Sequence, residues 1–185
     1  MTKVFIIHGT GGNPNGNWFP WLKSELEKIG CEVIVPKFPT PEGQSLDAWN
    51  GEFRKYINKI DKNTIVVGHS MGVGFLLSVL EQINVKVKGA FFVSGFLELL
   101  GNDFFDNLNK TFVQKEFNWD KIQGACDKFY LYHGSNDPYV PVKYAQDVAN
   151  KLGVKLNIID NGGHLNTESG YTEFPTLLND IKKTI

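Results

Sequence analysis

The sequence has no stretch approaching the ~18 consecutive apolar residues of a membrane-spanning helix. Its first apolar run, Val4-Phe5-Ile6-Ile7, stops at His8-Gly9 and is too short for a signal-peptide core. Cysteine is scarce. Cys31 and Cys126 make no disulfide framework, and free cysteine is usually a buried, reduced thiol. An excess of one charge is also missing: nineteen basic against twenty acidic residues leave a net charge of -1. No basic cluster goes beyond short pairs such as Lys182-Lys183. Nucleic acid and anionic membrane surfaces both demand a clustered basic face, so neither is an expected partner. These absences fit a cytoplasmic protein.

Cofactor and metal signatures are missing as well. The loop His8-Gly9-Thr10-Gly11-Gly12 suggests a dinucleotide fingerprint, but Pro14 stands where the third glycine belongs. No acid follows the second apolar run, where Pro36-Lys37 occur. Gly-Lys-Ser/Thr is absent, which excludes a P-loop, and neither His-Glu-x-x-His nor Cys-x-x-Cys offers a metal site. No cofactor and no metal are expected.

What is present is alternation. Short apolar runs at 3–7, 32–35, 64–67, 87–93, 129–132 and 155–159 read as strands. Between them, helical spacing of apolar residues predicts helices over 18–29, 46–60, 70–83 and 142–152, with a closing helix over 173–184. The segment 94–119 is less regular and is expected to carry short helices over the active-site edge. Strands separated by helices imply an α/β fold with a mostly parallel six-stranded sheet and helices on both faces. A chain of 185 residues, 42% hydrophobic, is long enough for one buried core and short for two. One domain over 1–185 is therefore expected, without a large cap.

Gly68-His69-Ser70-Met71-Gly72 fits Gly-x-Ser-x-Gly. The pattern is weak alone. Its setting, after Thr64-Ile65-Val66-Val67 and before an apolar helix, is the strand–turn–helix context of a nucleophile elbow. The plainer alternative is a serine capping a buried helix. A serine needs a base to take its proton. His164, in Asn161-Gly162-Gly163-His164, is the candidate, because it leaves room for an acid between itself and Ser70 in the order Ser, acid, His. Asp137, in the turn Gly134-Ser135-Asn136-Asp137-Pro138, is that acid. Asp160 ranks second and Glu168 also competes, both being nearer His164 in sequence. His69 is expected to point away from the nucleophile. Acyl transfer also needs two oxyanion donors. The Met71 N–H is one and the Thr10 N–H the other, with Gly9 and Gly11 as fallbacks. Gly9 and Gly11 let backbone approach a substrate, and Trp18 is a candidate lining of an acyl pocket, against the alternative of core packing.

Taken together, His8-Gly9-Thr10-Gly11-Gly12, Trp18-Phe19-Pro20-Trp21-Leu22, the elbow, Asp137-Pro138-Tyr139-Val140-Pro141 and Gly163-His164-Leu165-Asn166 carry a resemblance. The chain resembles the small retinoblastoma-binding-protein-type serine hydrolases, which include YdeN-like bacterial proteins. The resemblance implies a compact α/β-hydrolase, a triad at Ser70, Asp137 and His164, and action on small esters or amides. The Leu-x-Cys-x-Glu motif by which some relatives bind a pocket protein is absent, so that interaction is not implied. The rival from another class is a binding or regulatory protein on a hydrolase scaffold. The complete candidate triad and both elbow glycines oppose it.

Overall fold

Runs rich in Val, Ile and Phe pack well on a pleated surface. In the computed structural model, which describes residues Met1–Ile185, they form β1 (Lys3–Ile7), β2 (Glu32–Ile34), β3 (Thr64–His69), β4 (Gly89–Val93), β5 (Phe129–Gly134) and β6 (Leu156–Ile159). The sheet order is β2-β1-β3-β4-β5-β6, and every pairing is parallel. Parallel neighbours need crossovers. These are α1 (Phe19–Lys28), α2 (Leu46–Phe53), α3 (Met71–Gln82), α4 (Asp103–Val113) with α5 (Trp119–Gly124), and α6 (Val142–Leu152), followed by a closing α7 (Pro175–Lys182).

Alternate strand residues face opposite sides of the sheet. Phe5, Ile7, Val66, Phe92 and Leu131 therefore enter one core, under α2 to α6. Val4, Ile6, Val67, Phe91 and Val93 enter the other, under α1 and α7. Both faces are covered, as a parallel sheet requires.

Most elements shift by a residue or two from the sequence reading, and a few departures have a clear cause. The helix expected over 46–60 stops at Phe53 and resumes only as a 3-10 turn, Ile57–Lys59. Ile57 is 38% exposed, so its place in the apolar period marked no core face. β3 and β5 run on through His69 and Gly134, because those residues still pair with Val93 and Ile159. Within 94–119, α4 is a full eleven-residue helix, capped by the Asn102 side chain, which accepts from the N–H groups of Phe104 and Phe105.

A parallel register puts the C-terminal ends of all six strands at one edge. Between β1 and β3 the order reverses, which makes a crevice where open α/β sheets bind ligands. The loops after β1, β3, β5 and β6 carry Thr10, Ser70, Asp137 and His164 to that edge.

Candidate active site

Ser70 is the turn from β3 into α3, at φ 55° and ψ −125°. L-residues avoid this region, and strained nucleophile elbows occupy it. Its N–H donates to the Val93 carbonyl at 2.8 Å, and its own carbonyl accepts from the Val73 N–H at 3.0 Å. Space at the turn is the second constraint. A Cβ on Gly72 would stand 2.5 Å from the Ile7 carbonyl oxygen, and one on Gly68 would meet the Gly72 carbonyl at 3.0 Å. Ser70 heads α3, but its side chain caps nothing. The hydroxyl is thus left for the adjacent cavity.

His164 sits in the loop after β6. Its Nδ1–H donates to Asp137 Oδ2 at 2.7 Å, and the Asp137 side chain has 0% exposure. The other oxygen, Oδ1, accepts from the N–H groups of Tyr139 (2.9 Å) and Val140 (3.0 Å). Burial works to raise the Asp137 pKa. The hydrogen bond and charge of His164, with the two backbone donors, overcome it and hold the carboxyl below its usual range. The backbone around His164 is fixed on every side. Its carbonyl accepts from His69 Nε2 (3.0 Å) and Ser94 Oγ (3.1 Å), its N–H donates to Ser169 Oγ (3.1 Å), and the Gly163 N–H donates to Asn136 Oδ1 (2.8 Å). The imidazole lies edge-on to the His69 and Tyr139 rings, at 4.9 Å and 5.2 Å between centroids. Asp160, the competing acid, is exposed and bonds Ser135 and Asn161. Glu168 accepts from the Tyr139 hydroxyl. Neither reaches His164.

The other three histidines are bound to main chain. His8 Nε2 accepts from the Phe38 N–H, so its proton is on Nδ1, donated to the Gly9 carbonyl at 2.9 Å. His133 donates from Nε2 to the Val140 carbonyl, while its buried Nδ1 has no partner. Burial pushes His8 and His133 below the ordinary histidine value, so the 3.5 Å approach of His133 to Asp137 is not an ion pair. Burial, reinforced by the nearby His164, pushes His69 down to about 3.

These depressed values predict an acid sensitivity. Unfolded histidines titrate near ~6.5. Below that pH the unfolded chain binds protons that the fold refuses, so stability present above ~6.5 is lost as pH falls. His69 alone accounts for ~2 kcal/mol between pH 6.5 and 5. The urea midpoint should decline steadily over that interval, and His69→Gln, which keeps a donor, should flatten the slope by about one proton. An unchanged slope in the variant would mean that His69 is charged in the folded chain.

Ser70 and His164 line one cavity of about 280 Å³. Gly9, Thr10 and Gly11 form one wall, and Leu100, Phe105 and Asn109 on and before α4 form another. Met71 is the first residue of α3, so its N–H has no intrahelical acceptor. The Thr10 N–H makes no bond to backbone, whereas the Gly11 N–H is already taken by Thr40 Oγ1 at 2.6 Å. Gly11 is therefore unsuited as the fallback oxyanion donor. Gly9 packs on Ser70: a Cβ there would stand 2.6 Å from the Ser70 Cβ.

Trp18 requires correction. It is 0% exposed and lies in the α1/α7 core, against Phe19 and Phe174, not on the cavity. Its Nε1–H donates to the Leu165 carbonyl at 2.9 Å, so it braces the His164 loop from beneath. His69, expected to point away, does hold the His164 carbonyl, yet it also borders the cavity. Among the cavity residues that the sequence reading does not single out, Phe105 and Asn109 follow no local motif, whereas Tyr139 stands inside the segment 137–141. No three His, Cys, Asp or Glu side chains converge as a metal site requires. No helix is long and apolar enough to cross a membrane. Both cysteines are buried, and burial pushes Cys126 up to about 12.

The family and the fold are shared with known proteins. YdeN of Bacillus subtilis (strain 168), described by name as a hydrolase, is 31% identical over 178 residues, covering 95% of this chain and 92% of YdeN. The serine hydrolase RBBP9 of Rattus norvegicus is 27% identical over 187 residues, covering 100% and 96%. The crystal structure of the B. subtilis ydeN product superposes with a TM-score of 0.93, covering 100% of this chain and 98% of that one, at 27% identity. Est1E from Butyrivibrio proteoclasticus, solved with ferulic acid bound, shares the fold at a TM-score of 0.74 and 15% identity, over 100% and 89% of the two chains. The serine hydrolase family model matches residues 4–183, and with it the elbow, the buried carboxylate–imidazole pair and the parallel sheet find a common account: the chain is an α/β-hydrolase of the serine hydrolase family.

Proposed function

We propose that this hydrolase cleaves small carboxylic esters through an acyl-enzyme on Ser70, with His164 as general base and Asp137 as its partner. One observation carries the reading. His164 gives Nδ1–H to a carboxylate without solvent exposure and keeps Nε2 unpartnered, on the cavity it shares with Ser70.

Nε2 takes the Ser70 proton as Oγ attacks the ester carbonyl carbon. Asp137 fixes the accepting tautomer and stabilises the imidazolium. The N–H groups of Met71 and Thr10 receive the oxyanion. The tetrahedral adduct collapses, His164 protonates the departing alcohol, and water repeats the sequence to release the acid. The cavity wall carries no Lys or Arg that would hold an anionic substrate, which favours neutral esters over anionic ones.

A fluorophosphonate should add once per chain, at Ser70 by peptide mass, and Ser70→Ala should take up none. Stoichiometric labelling of the alanine variant would refute the nucleophile. A wild-type chain that takes up no phosphonate and turns over no short aryl ester would favour the binding-protein reading instead.

Cavity size sets a second expectation. About 280 Å³ is at the small end for ligand pockets. Acetyl and butyryl p-nitrophenyl esters should exceed the dodecanoyl ester in kcat/KM by at least about tenfold, since a long chain gains no further buried contact. A kcat/KM that climbs with chain length beyond butyryl would contradict a short site.

A further inference from the structure

A partly buried chain of hydrogen bonds joins the loop after β1 to α4. Asn109 is the one polar residue among the three buried positions of α4, and it is 2% exposed. Polar groups are buried at a cost unless they are bonded. Asn109 Oδ1 accepts from the Thr10 hydroxyl at 2.6 Å and from Gln44 Nε2 at 3.0 Å. Gln44 Nε2 also reaches Thr10 Oγ1 at 2.9 Å and the Leu108 carbonyl at 3.2 Å. Gln44 Oε1 accepts from the Thr40 hydroxyl at 2.5 Å, and Thr40 Oγ1 accepts from the Gly11 N–H at 2.6 Å.

The direction of every bond follows from the two ends. The Gly11 N–H can only donate, so the Thr40 hydrogen goes to Gln44 Oε1. The Leu108 carbonyl can only accept, so the amide nitrogen of Gln44 faces α4. The two amide hydrogens of Gln44 are shared among the Leu108 carbonyl, Asn109 Oδ1 and Thr10 Oγ1, and the Thr10 hydrogen goes to Asn109 Oδ1. Thr10 is gripped through both its lone pair and its proton, and Gly11 is gripped through its backbone. The network spans three segments far apart in sequence and converges on the loop whose Thr10 N–H stands free beside Ser70.

We infer that Asn109 and Gln44 are positioning residues for the oxyanion hole, holding the Thr10 backbone where its N–H meets the developing charge. The inference rests on the acyl-transfer reading of Ser70. It makes α4 part of the catalytic apparatus as well as a wall of the cavity. The N–H itself needs no side chain, so the hydroxyl of Thr10 serves only to be held.

Thr10→Val exchanges one hydroxyl for a methyl of similar shape, and Asn109→Leu removes the acceptor. Each should lower kcat by about 10- to 100-fold, part of the 10²–10³ that loss of a whole oxyanion donor costs. KM should change less than about threefold. Affinity for a trifluoromethyl ketone, which forms the tetrahedral adduct, should weaken by the same factor as kcat/KM. Because both side chains act through one N–H, the double variant should be no worse than the worse single. Thr10→Ser, which restores a hydroxyl, should recover most of the rate lost in Thr10→Val. If Asn109→Leu melts out, the Thr10 series and the ketone affinities decide the matter. Unchanged kcat in Thr10→Val, multiplicative losses, or a serine variant as damaged as valine would overturn the inference, leaving the hydrolase reading intact. A wild-type chain that takes up no fluorophosphonate would remove both together.

Discussion

Asp137→Asn is expected to lower kcat by about 10²–10⁴, while Asp160→Asn costs less than about tenfold. The larger figure is that of the corresponding change in serine proteases, and an activated ester with a good leaving group loses less. The geometry says why the loss is large. Asp137 Oδ1 accepts from two backbone N–H groups, Tyr139 and Val140, so an asparagine must place its carbonyl oxygen there. Its NH₂ then occupies the Oδ2 position, 2.7 Å from His164 Nδ1. Two donors cannot face each other. His164 must carry its proton on Nε2, and in that tautomer it cannot take the Ser70 proton. Asp160 bonds only Ser135 and Asn161 and has no part in this exchange. Steady-state kcat on an aryl ester, measured after both variants are shown to melt like wild type, separates the two. Greater damage in Asp160→Asn would move the acid to the turn after β6 and leave Ser70 as nucleophile.

Much of the fold is legible in the sequence because each sheet face makes its own demand. Val4 and Ile6 face one core and Phe5 and Ile7 the other, so β1 reads as an unbroken apolar run. The same holds for β3 and β4. Errors fall where tertiary contact decides. Val87 makes only an isolated bridge to Cys126, so β4 begins at Gly89 rather than 87. No period in the sequence marks that. α4 is visible as an amphipathic helix only once its buried stripe, Asn109, Phe112 and Val113, is seen to include an asparagine. A polar residue breaks the apolar count, and its bonding to Thr10 is what allows it there.

The candidate site divides the same way. Ser70, Asp137 and His164 are readable because each stands in a turn whose local chemistry constrains it: two glycines for the elbow, an Asx turn ahead of Val140, and a glycine pair before the imidazole. Trp18 stays open between pocket wall and core in the sequence, because an aromatic beside a glycine loop suits both, and only the 0% exposure and the bond to Leu165 decide for the core. Gln44 and Asn109 carry no signal in the sequence. Thr10 and Asn109 are 99 positions apart, and the chemistry they share exists only after the chain has closed.

Gly134→Ala is expected to be the most damaging single-methyl change near the site. Gly134 ends β5, paired with Ile159, in a backbone conformation open to any residue. What excludes a side chain is space. A Cβ there would stand 2.0 Å from the Gly163 carbonyl oxygen and 2.8 Å from the Gly162 carbonyl carbon. Both are backbone atoms of the His164 loop, so relief requires that loop to retreat on the order of 1 Å, judged against ordinary van der Waals separation. It is held there by Asn136, Ser169, His69, Ser94 and Trp18 through five hydrogen bonds. Overpacking against fixed backbone with loss of such bonds is expected to cost about 3–5 kcal/mol. For a chain of this length that is a fall in Tm of roughly 10–15 °C. Below the lowered Tm the folded fraction should still lose about 10² in kcat, because a 1 Å displacement of the base spoils proton transfer. Gly124→Ala is the matched control: nothing lies within 4 Å of its added Cβ, its φ is not positive, and it ends α5. That change should leave kcat untouched and shift stability by less than about 1 kcal/mol, upward if at all. Thermal melts and kcat on the pair test whether the His164 loop rests directly on the end of β5. If Gly134→Ala melts within about 3 °C of wild type and keeps its rate, the loop has room to move, and the base is held by its hydrogen bonds alone.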